Sequence, residues 1–356
     1  MSQPSAAAPQ PGRAPARAEL PAVLAVDGGN SKTDVALVAA DGSLLAGIRG
    51  PGMNAPRDGV AATLTMLGVL VRRAAEQAGQ DSSSPVAAHT SACLANADLP
   101  EEEEEMRAAM AAQGWSLRTS VVNDTFAVLR AGLAVTGPGL PDGPGGLWGV
   151  AVTCGAGINC VGLAPDGRST RYLALGDISG DWGGGYGLGR AALWWAIRAE
   201  DGRGQPTALR EAVAARFGVA TVHDVTLGLH QGRIDEYSLT GLAPVLLAAA
   251  RGGDEVARRL VDRQAAEICL MALTAMRRLD LLELATPVFL GGGLLTARDP
   301  LLIGGIEDGL RREAPRAVAS VIDVPPIAGA ALLGLDQVHA TPAAQARLRD
   351  AYSAGA

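Results

Sequence analysis

Two short polar segments of this chain combine residue types that suit the handling of phosphate. Residues 27–34 read Asp-Gly-Gly-Asn-Ser-Lys-Thr-Asp, and residues 121–125 read Val-Val-Asn-Asp-Thr. Glycines let a backbone approach a phosphate closely, so that its N–H groups can point at the phosphate oxygens. Asp124 lies between two glycine turns along the chain, which makes it a candidate for catalysis. Asparagine, aspartate and threonine are also common N-caps, and a capping role for Asp124 stays open.

The first segment offers several groups that could contact a nucleotide. Asp27 could hold hydrated Mg²⁺, and Ser31 and Thr33 offer hydroxyls. Lys32 is the only lysine of a chain with 30 basic residues, and its compact charge suits phosphate better than the planar fork of arginine does. The segment is not a Walker loop, because a strand and not a helix follows it. An ordinary hairpin would use Gly-Gly-Asn equally well.

Three more glycine turns follow later in the chain. Residues 155–157 (Gly-Ala-Gly) and 291–293 (Gly-Gly-Gly) each end an apolar strand pattern, and the second could lie against a nucleotide base. Residues 175–189 are rich in glycine, which is costly in ordered structure unless something approaches closely. A loose surface loop is the alternative there, although the apolar Trp182 and Leu188 disfavour full exposure.

One pattern of strands and turns occurs twice, and it is the best indicator of architecture. Each copy reads strand, glycine turn, strand, Asp-Gly turn, strand, which predicts a duplicated β-meander. The predicted strands are 22–26, 35–38 and 44–48, then 147–153, 160–163 and 171–175, with a later one at 288–290. Apolar residues at helical spacing predict helices over 60–78, 126–133, 191–200, 242–250, 255–279, 301–312 and 328–335. We therefore expect two α/β domains with a cleft between them.

Composition excludes several classes of function. A length of 356 residues favours two domains, since single cores stop growing near ~250 residues. A net charge of −7 and 3% aromatic residues disfavour a nucleic-acid partner. The four cysteines show no zinc spacing. No apolar run reaches about 18 residues, so no membrane partner is expected. Residues 1–20 lack the apolar core of a signal peptide and predict a disordered tail on a cytoplasmic protein.

Taken together, these segments resemble the N-acetylglucosamine kinase and BadF/BadG type ATPases, within the actin, hexokinase and Hsp70 superfamily. The resemblance extends from residue 22 to about residue 336. Residues 27–33 are similar to the family's first phosphate motif and 123–124 to its second. Residues 153–159 occupy the place of its Gly-Thr-Gly-Ser turn, 181–183 that of Gly-Asp-Glu-Gly, and 291–293 resemble its adenosine motif. Residues 52–54 (Gly-Met-Asn) stand where the family has a sugar-binding asparagine.

The resemblance implies an α/β fold of duplicated ribonuclease H-like (actin-like ATPase) domains that flank an interdomain cleft. The implied boundaries are 21–135 for the N-terminal domain and 136–327 for the C-terminal domain, with a terminal helix at 328–350 packing back on the first domain. The Pro-Gly-rich residues 137–146 are expected to form a surface loop or hinge near that boundary.

The resemblance also implies a role for each matching residue. Asp124 would be the general base, Asp27 would orient Mg²⁺, and ATP would be the phosphate donor. Sugar hydroxyls would contact Asn54, Asp124 and Asp181. A free amine on the sugar would favour carboxylates, and Asp177 and Asp181 are its candidate partners. The implied ATP-binding residues are Gly28, Gly29, Asn30, Ser31, Lys32, Thr33, Thr153, Gly155, Ala156, Gly157, Gly292 and Gly293.

The acceptor follows from a departure from the family pattern. Trp182 replaces the family's glutamate, and Asp-Trp-Gly-Gly-Gly resembles the actinobacterial glucosamine kinases. We therefore expect an ATP-dependent kinase that phosphorylates the 6-hydroxyl of a hexosamine, with D-glucosamine first and N-acetylglucosamine as the alternative. Ala156 and Ile158 replace hydroxyl residues of the Gly-Thr-Gly-Ser turn, which leaves phosphate contacts there to backbone N–H groups and Thr153.

Rival interpretations differ in class. A dehydratase-activating ATPase would carry an iron–sulfur cluster and need cysteines presented together. A sugar-sensing regulator would lack phosphoryl transfer, and Asp27, Lys32 and Asp124 speak against it. A homodimer is compatible with each of these classes, and the sequence leaves the oligomeric state open.

Overall fold

The N-terminal half is built on a five-stranded mixed sheet. The structure is a computed structural model that describes residues 20–81, 85–133 and 148–353. The strand order is β3-β2-β1-β4-β5; β1, β2 and β3 form an antiparallel meander, and β4 and β5 run parallel to β1. The strands are β1 (Val23–Gly28), β2 (Lys32–Val38), β3 (Leu44–Pro51), β4 (Ala87–Leu94) and β5 (Ser116–Asn123).

A second five-stranded sheet repeats this topology. Its order, β8-β7-β6-β9-β10, again joins an antiparallel meander to two parallel strands. The strands are β6 (Gly149–Cys154), β7 (Ile158–Leu163), β8 (Ser169–Arg171), β9 (Pro287–Gly291) and β10 (Val318–Val321). The duplicated β-meander that the turn pattern predicts is confirmed.

Helices cover both sheets. The helices of the first half are α1 (Ala55–Asp58), α2 (Val60–Gln77), α3 (Pro100–Ala111) and α4 (Thr125–Gly132). Those of the second half are α5 (Gly184–Glu200), α6 (Leu209–Arg216), α7 (Val222–His230), α8 (Ala243–Arg251), α9 (Glu255–Arg278), α10 (Gly293–Thr296) and α11 (Pro300–Glu313). The chain ends in α12 (Pro326–Gln337) and α13 (Pro342–Ser353). Among the described residues, no helix is long and apolar enough to span a membrane.

Two contacts tie the halves of the chain together. Apolar residues of α12 and α13, such as Leu332, Leu335 and Leu348, pack on the first sheet with Val23 and Ala25 of β1. Helix α4 packs on the second sheet through a cluster of Val128, Leu129, Ala131, Ala151, Val161 and Phe289. The chain therefore crosses back to the first sheet after completing the second. The expected domain boundary at 135/136 and the expected hinge at 137–146 lie outside the described residues.

In the glycine-rich segment 175–189, a short turn and the start of a helix take the place of the loose surface loop that the sequence left as an alternative. A 3₁₀ turn occupies Gly176–Ser179, and α5 begins at Gly184, inside the glycine run and not near residue 191. The cause is close packing: a Cβ at Gly189 would meet the carbonyl group of Leu239, and a Cβ at Gly184 would meet the backbone at 156–157. At these two positions, glycine lets another segment of the protein backbone pack closely against the chain. Strand β8 also ends at Arg171, earlier than the expected residue 175.

Candidate active site

A cleft of about 260 Å³ lies where the parallel strands of both sheets end. The residues that follow β1, β4, β5, β6 and β9 all contribute to its wall, because the carboxyl ends of parallel strands share one edge of a sheet. The lining residues are Asp27, Gly29, Asn30, Ser31, Lys32, Ala95, Asn96, Asp98, Asp124, Val128, Thr153, Gly155, Ala156, Gly157, Ile158, Asn159, Ala174, Gly292 and Pro326. The structure thus brings the two polar segments into one cleft.

Asp124 is a half-buried carboxyl at the start of α4. Among the described residues, which include all of α4, its side chain makes no hydrogen bond that caps this helix. Burial raises its pKa to about 6, against hydrogen bonds from the side chain and backbone of Thr125 that lower it. The Asp124 carboxylate therefore does not perform the capping role that the sequence left open. A base with a pKa near neutrality is well matched to proton transfer at physiological pH.

Asp27 lies at the end of β1 and faces the same cleft. Its pKa is raised to about 7, chiefly by burial and then by the charges of Asp124 and Asp34. Arg49 holds Asp34 through two hydrogen bonds of 2.7 and 3.0 Å. The Nζ atom of Lys32 lies 3.7 Å from the same carboxylate, and the lysine side chain is 46% exposed. A divalent cation or phosphate at this end of the cleft would meet one acidic and one basic group.

Three asparagines form a network beside the first segment. The Oδ1 atom of Asn30 accepts hydrogen bonds from Asn54 (3.1 Å) and Asn96 (3.0 Å). Asn96 also donates to the carbonyl of Met53 at 3.2 Å. Asn54 caps α1, with its side chain accepting from the amide of Arg57. This network fixes Asn54 next to the phosphate-binding candidate loop.

The sequence interpretation missed a second set of polar residues, which faces Asp124. Asp98 accepts a hydrogen bond from Asn123 at 2.8 Å, and Asn123 in turn accepts one from Asn159 of the second sheet at 3.1 Å. The pKa of Asp98 is raised to about 8, chiefly by burial and then by the charge of Asp124. The position of Asp98 just after β4, a parallel neighbour of β1, is the signal that could have found it.

The second sheet supplies small residues to the opposite wall. A Cβ added at Gly155 or Gly157 would meet no described atom within 4 Å, so the space beside this turn is open. The Oγ1 atom of Thr153 is buried and has no hydrogen-bond partner among the described residues. The amide of Gly155 donates to the carbonyl of Gly157 at 3.0 Å, so the unpaired hydroxyl of Thr153 and the open space are the features that fit a phosphate chain. The described residues contain no group of three His, Cys, Asp or Glu side chains that could hold a metal, and Mg²⁺ bound through phosphates needs only one or two carboxylates.

The remaining candidates lie around the cleft. Gly28 packs under Met53 and Leu94, and Thr33 is fully buried on β2. Gly293 begins α10 directly behind Gly292. Asp177 and Asp181 line an adjoining cavity and not the cleft. The charge of Asp181 nevertheless contributes to the raised pKa of Asp98, which places the two carboxylates near one another.

Two contacts join the halves of the chain at the cleft. Arg171 on β8 donates to Glu103 of α3 at 2.6 Å, and Glu103 also accepts from the backbone amide of Asn123 at 3.0 Å. Within the acidic run 101–105, Glu102 and Glu103 are therefore partly buried and not fully exposed. The other contact is the Asn159–Asn123 hydrogen bond.

The cysteines do not form a cluster. All four (Cys93, Cys154, Cys160 and Cys269) are buried and unpaired. Burial raises the pKa of Cys154 to about 12, so its thiol stays protonated at neutral pH.

Comparisons with known proteins agree with this geometry. The N-acetyl-D-glucosamine kinase of Dictyostelium discoideum is 24% identical over 323 residues, which span 88% of this chain and 97% of that protein. The N-acetylmuramic acid/N-acetylglucosamine kinase of Clostridium acetobutylicum is 25% identical over 276 residues, or 77% of this chain and 85% of that protein. A crystal structure from Chromobacterium violaceum, provisionally named N-acetylglucosamine kinase, superimposes with a TM-score of 0.67 and 27% identity, covering 89% of this chain and 99% of that one.

These matches confirm the expected duplicated actin-like ATPase fold. The family model described as "BadF/BadG/BcrA/BcrD ATPase family" matches residues 24–334, nearly the whole described chain. The chain therefore belongs to the BadF/BadG/BcrA/BcrD ATPase family.

Proposed function

We propose that this protein is an ATP-dependent kinase that phosphorylates the 6-hydroxyl of a hexosamine. The observation that carries the proposal is the position of Asp124. Its carboxyl is half-buried, makes no capping hydrogen bond to α4, and lines one cleft with the Lys32 segment and the Gly155–Gly157 turn. A carboxylate base positioned beside a phosphate-binding wall is the arrangement that phosphoryl transfer to a hydroxyl requires.

In this proposal each wall of the cleft has its own task. Asp124 accepts the proton of the attacking hydroxyl, and Lys32 with the amides of the glycine turns neutralises charge on the transferred group. Asp27 holds Mg²⁺, which when bound with ATP would offset charge on the phosphates. Thr153 donates its unpaired hydroxyl to a phosphate oxygen. Gly292 and Gly293 border the nucleoside.

Two acceptors are proposed. The named relatives support N-acetylglucosamine more strongly than glucosamine, because both curated kinases and the Chromobacterium structure carry that name. Glucosamine, the acceptor that the Asp-Trp-Gly-Gly-Gly segment suggested, is supported by the carboxyls of Asp98 and Asp124, which would attract an ammonium group.

An ATP-coupled assay with N-acetylglucosamine, glucosamine, glucose and N-acetylmuramic acid tests the proposal. We expect turnover of one hexosamine at least tenfold above that of glucose, and the Asp124→Asn protein, as a matched control, should be slower by about 10²–10⁴-fold. Absence of turnover with every sugar by a folded, ATP-binding protein would refute a kinase function. Faster turnover of N-acetylglucosamine than of glucosamine would favour the acetylated acceptor, and the reverse order would favour glucosamine.

A further inference from the structure

A second and larger cavity adjoins the cleft. It measures about 750 Å³ and lies under the 174–183 segment, between α5 and α9. We call it the indole pocket, because three of the five tryptophans of the chain, Trp182, Trp194 and Trp195, line it. Residues 156–158 and Ala174 line both spaces, so the pocket adjoins the cleft.

The aromatic rings of the pocket are held in fixed orientations. Trp194 and Trp195 meet edge to face, with centroids 4.8 Å apart. The guanidinium of Arg198 lies 4.5 Å from the Trp194 ring, yet Arg198 is not part of the pocket lining, so it supports that ring from outside. Trp194 is 51% exposed. A large, exposed and oriented indole is a ready surface for the C–H face of a ligand ring.

The charges of the pocket balance. Two carboxylates, Asp177 and Asp181, and two guanidinium groups, Arg190 and Arg263, line the pocket. Arg190 is 3.3 Å from Asp177, and Arg263 lies 3.9 Å from the Trp182 ring. A pocket for a phosphate or a nucleotide would carry excess positive charge. Indole surfaces interspersed with two carboxylates and two guanidinium groups instead suit an uncharged, hydroxyl-rich ligand. Its C–H groups would pack on the rings, and its hydroxyls would meet the polar groups.

The nucleotide has a different place in the fold. Lys32, Thr153 and Gly292 line the cleft and not the indole pocket. The pocket instead adjoins the acceptor end, where the charge of Asp181 acts on Asp98 beside Asp124. A substituent on a sugar bound at Asp124 would therefore extend toward the indole rings.

We propose that the indole pocket is an acceptor subsite for a second sugar ring. The inference rests on the proposed function: the ring to be phosphorylated lies at Asp124, and a glycosidically linked second ring stacks on Trp194. The protein would then act on a hexosamine disaccharide at least as well as on the free monosaccharide.

Kinetics with matched sugars test this subsite. N,N′-diacetylchitobiose is compared with N-acetylglucosamine, and chitobiose with glucosamine. We expect the KM of the preferred disaccharide to be about tenfold below that of its monosaccharide, the size of one good stacking contact. Trp194→Ala should abolish this advantage and leave monosaccharide kcat/KM within about twofold, and Trp194→Phe should restore part of it. The control is Leu117→Ala, a 68% exposed residue at the start of edge strand β5, at the end away from the cleft.

Binding without turnover separates this inference from the proposed function. Tryptophan fluorescence is titrated with the disaccharides in the absence of ATP, in wild type and in Trp194→Ala. Saturable quenching that Trp194→Ala removes supports the subsite even if no sugar is phosphorylated. The inference is overturned if disaccharides neither bind nor compete with monosaccharide. It is also overturned if Trp194→Ala raises the KM for ATP, which would make the occupant a nucleotide, or if it dissociates a dimer, which would make the occupant a second copy.

Discussion

At the scale of single residues, the cleft brings together acidic groups whose pKa values burial raises toward neutral pH. The pKa values of Asp124, Asp27 and Asp98 are raised to about 6, 7 and 8, with burial the largest cause in each case. Strongly shifted titratable groups in a cleft are typical of active sites. The ligands of the proposed reaction, a metal ion with ATP and a sugar, would supply the positive charge and hydrogen bonds that these groups lack.

Replacement of the proposed base should separate activity from stability. We expect Asp124→Asn to lower kcat by about 10²–10⁴-fold, the usual contribution of a positioned base. The raised pKa means that the ionised carboxylate destabilises the unliganded fold, a cost that appears as pH rises from about 4 through about 6 and is fully present at pH 8. The Tm of Asp124→Asn at pH 8, measured calorimetrically, should therefore be no lower than that of wild type. A large drop in Tm would assign Asp124 a structural role.

The pH dependence of turnover should report the same group. The base acts in its ionised form, so kcat/KM should fall about tenfold per pH unit below about 6 and level off above it. Steady-state rates between pH 5 and 8 at saturating Mg-ATP test this expectation. A profile that is flat across this range would exclude Asp124 as the base.

The single lysine permits a chemical test. Because Lys32 is half-exposed and unique, an amine-reactive reagent has only this side chain and the amino terminus to modify. We expect ATP with Mg²⁺ to slow modification of Lys32 at least fivefold, while labelling of the amino terminus continues unchanged. Peptide mass spectrometry measures both sites in one sample, so the terminus is the internal control. Equal labelling with and without nucleotide would remove Lys32 from the phosphate site.

At the scale of elements, glycines serve two separate purposes. At Gly189 and Gly184 they allow backbone segments to touch, whereas Gly155 and Gly157 leave open space in the cleft. Composition cannot distinguish these purposes, because both produce glycine-rich turns. The difference is decided by what lies opposite each residue in the folded chain.

Replacement of Gly155 by alanine should therefore weaken ligand binding without changing the stability of the fold. The added Cβ meets no described atom within 4 Å, and the backbone there is not in the left-handed region. We expect Gly155→Ala to fold with an unchanged Tm and to raise the KM for ATP about tenfold or more, since the methyl group occupies the phosphate space. Gly189→Ala is the contrasting variant, and its clash with the Leu239 backbone should lower Tm. An unaltered KM for ATP in Gly155→Ala would place the phosphates elsewhere.

At the scale of the whole molecule, the two sheets meet through few polar contacts at the cleft mouth. Arg171 and Glu103 form a partly buried pair across the halves, and Glu103 also holds the backbone beside Asp124. In kinases of this kind of architecture, closure around substrate excludes water and completes the site. The pair is well placed to stabilise a closed arrangement.

Removal of this pair should act on catalysis more than on stability. We expect Arg171→Ala to raise the KM for the sugar threefold to tenfold and to change Tm by less than about 2 °C, since such pairs contribute little to folding. Small-angle scattering with sugar and a non-hydrolysable ATP analogue should show a smaller decrease in radius of gyration for the variant than for wild type. Arg258→Ala, at an exposed arginine near the start of α9, is the matched control.

The sequence alone determined the repeated meander, the helices on each sheet and the two polar segments. These features follow from local chemistry: alternating and helical apolar spacing, and turn residues such as Asp-Gly at fixed positions. It also indicated Asp124 and Lys32 as a pair before either could be placed. Only the tertiary structure decided that Asp98, Asn96 and Asn159 join them, that α5 begins inside the glycine run, and that Trp182, Trp194 and Trp195 enclose one cavity. Each of these features depends on contacts between segments that are distant in the chain. Local sequence patterns cannot predict such contacts, because they reflect only the residues within a few positions of one another.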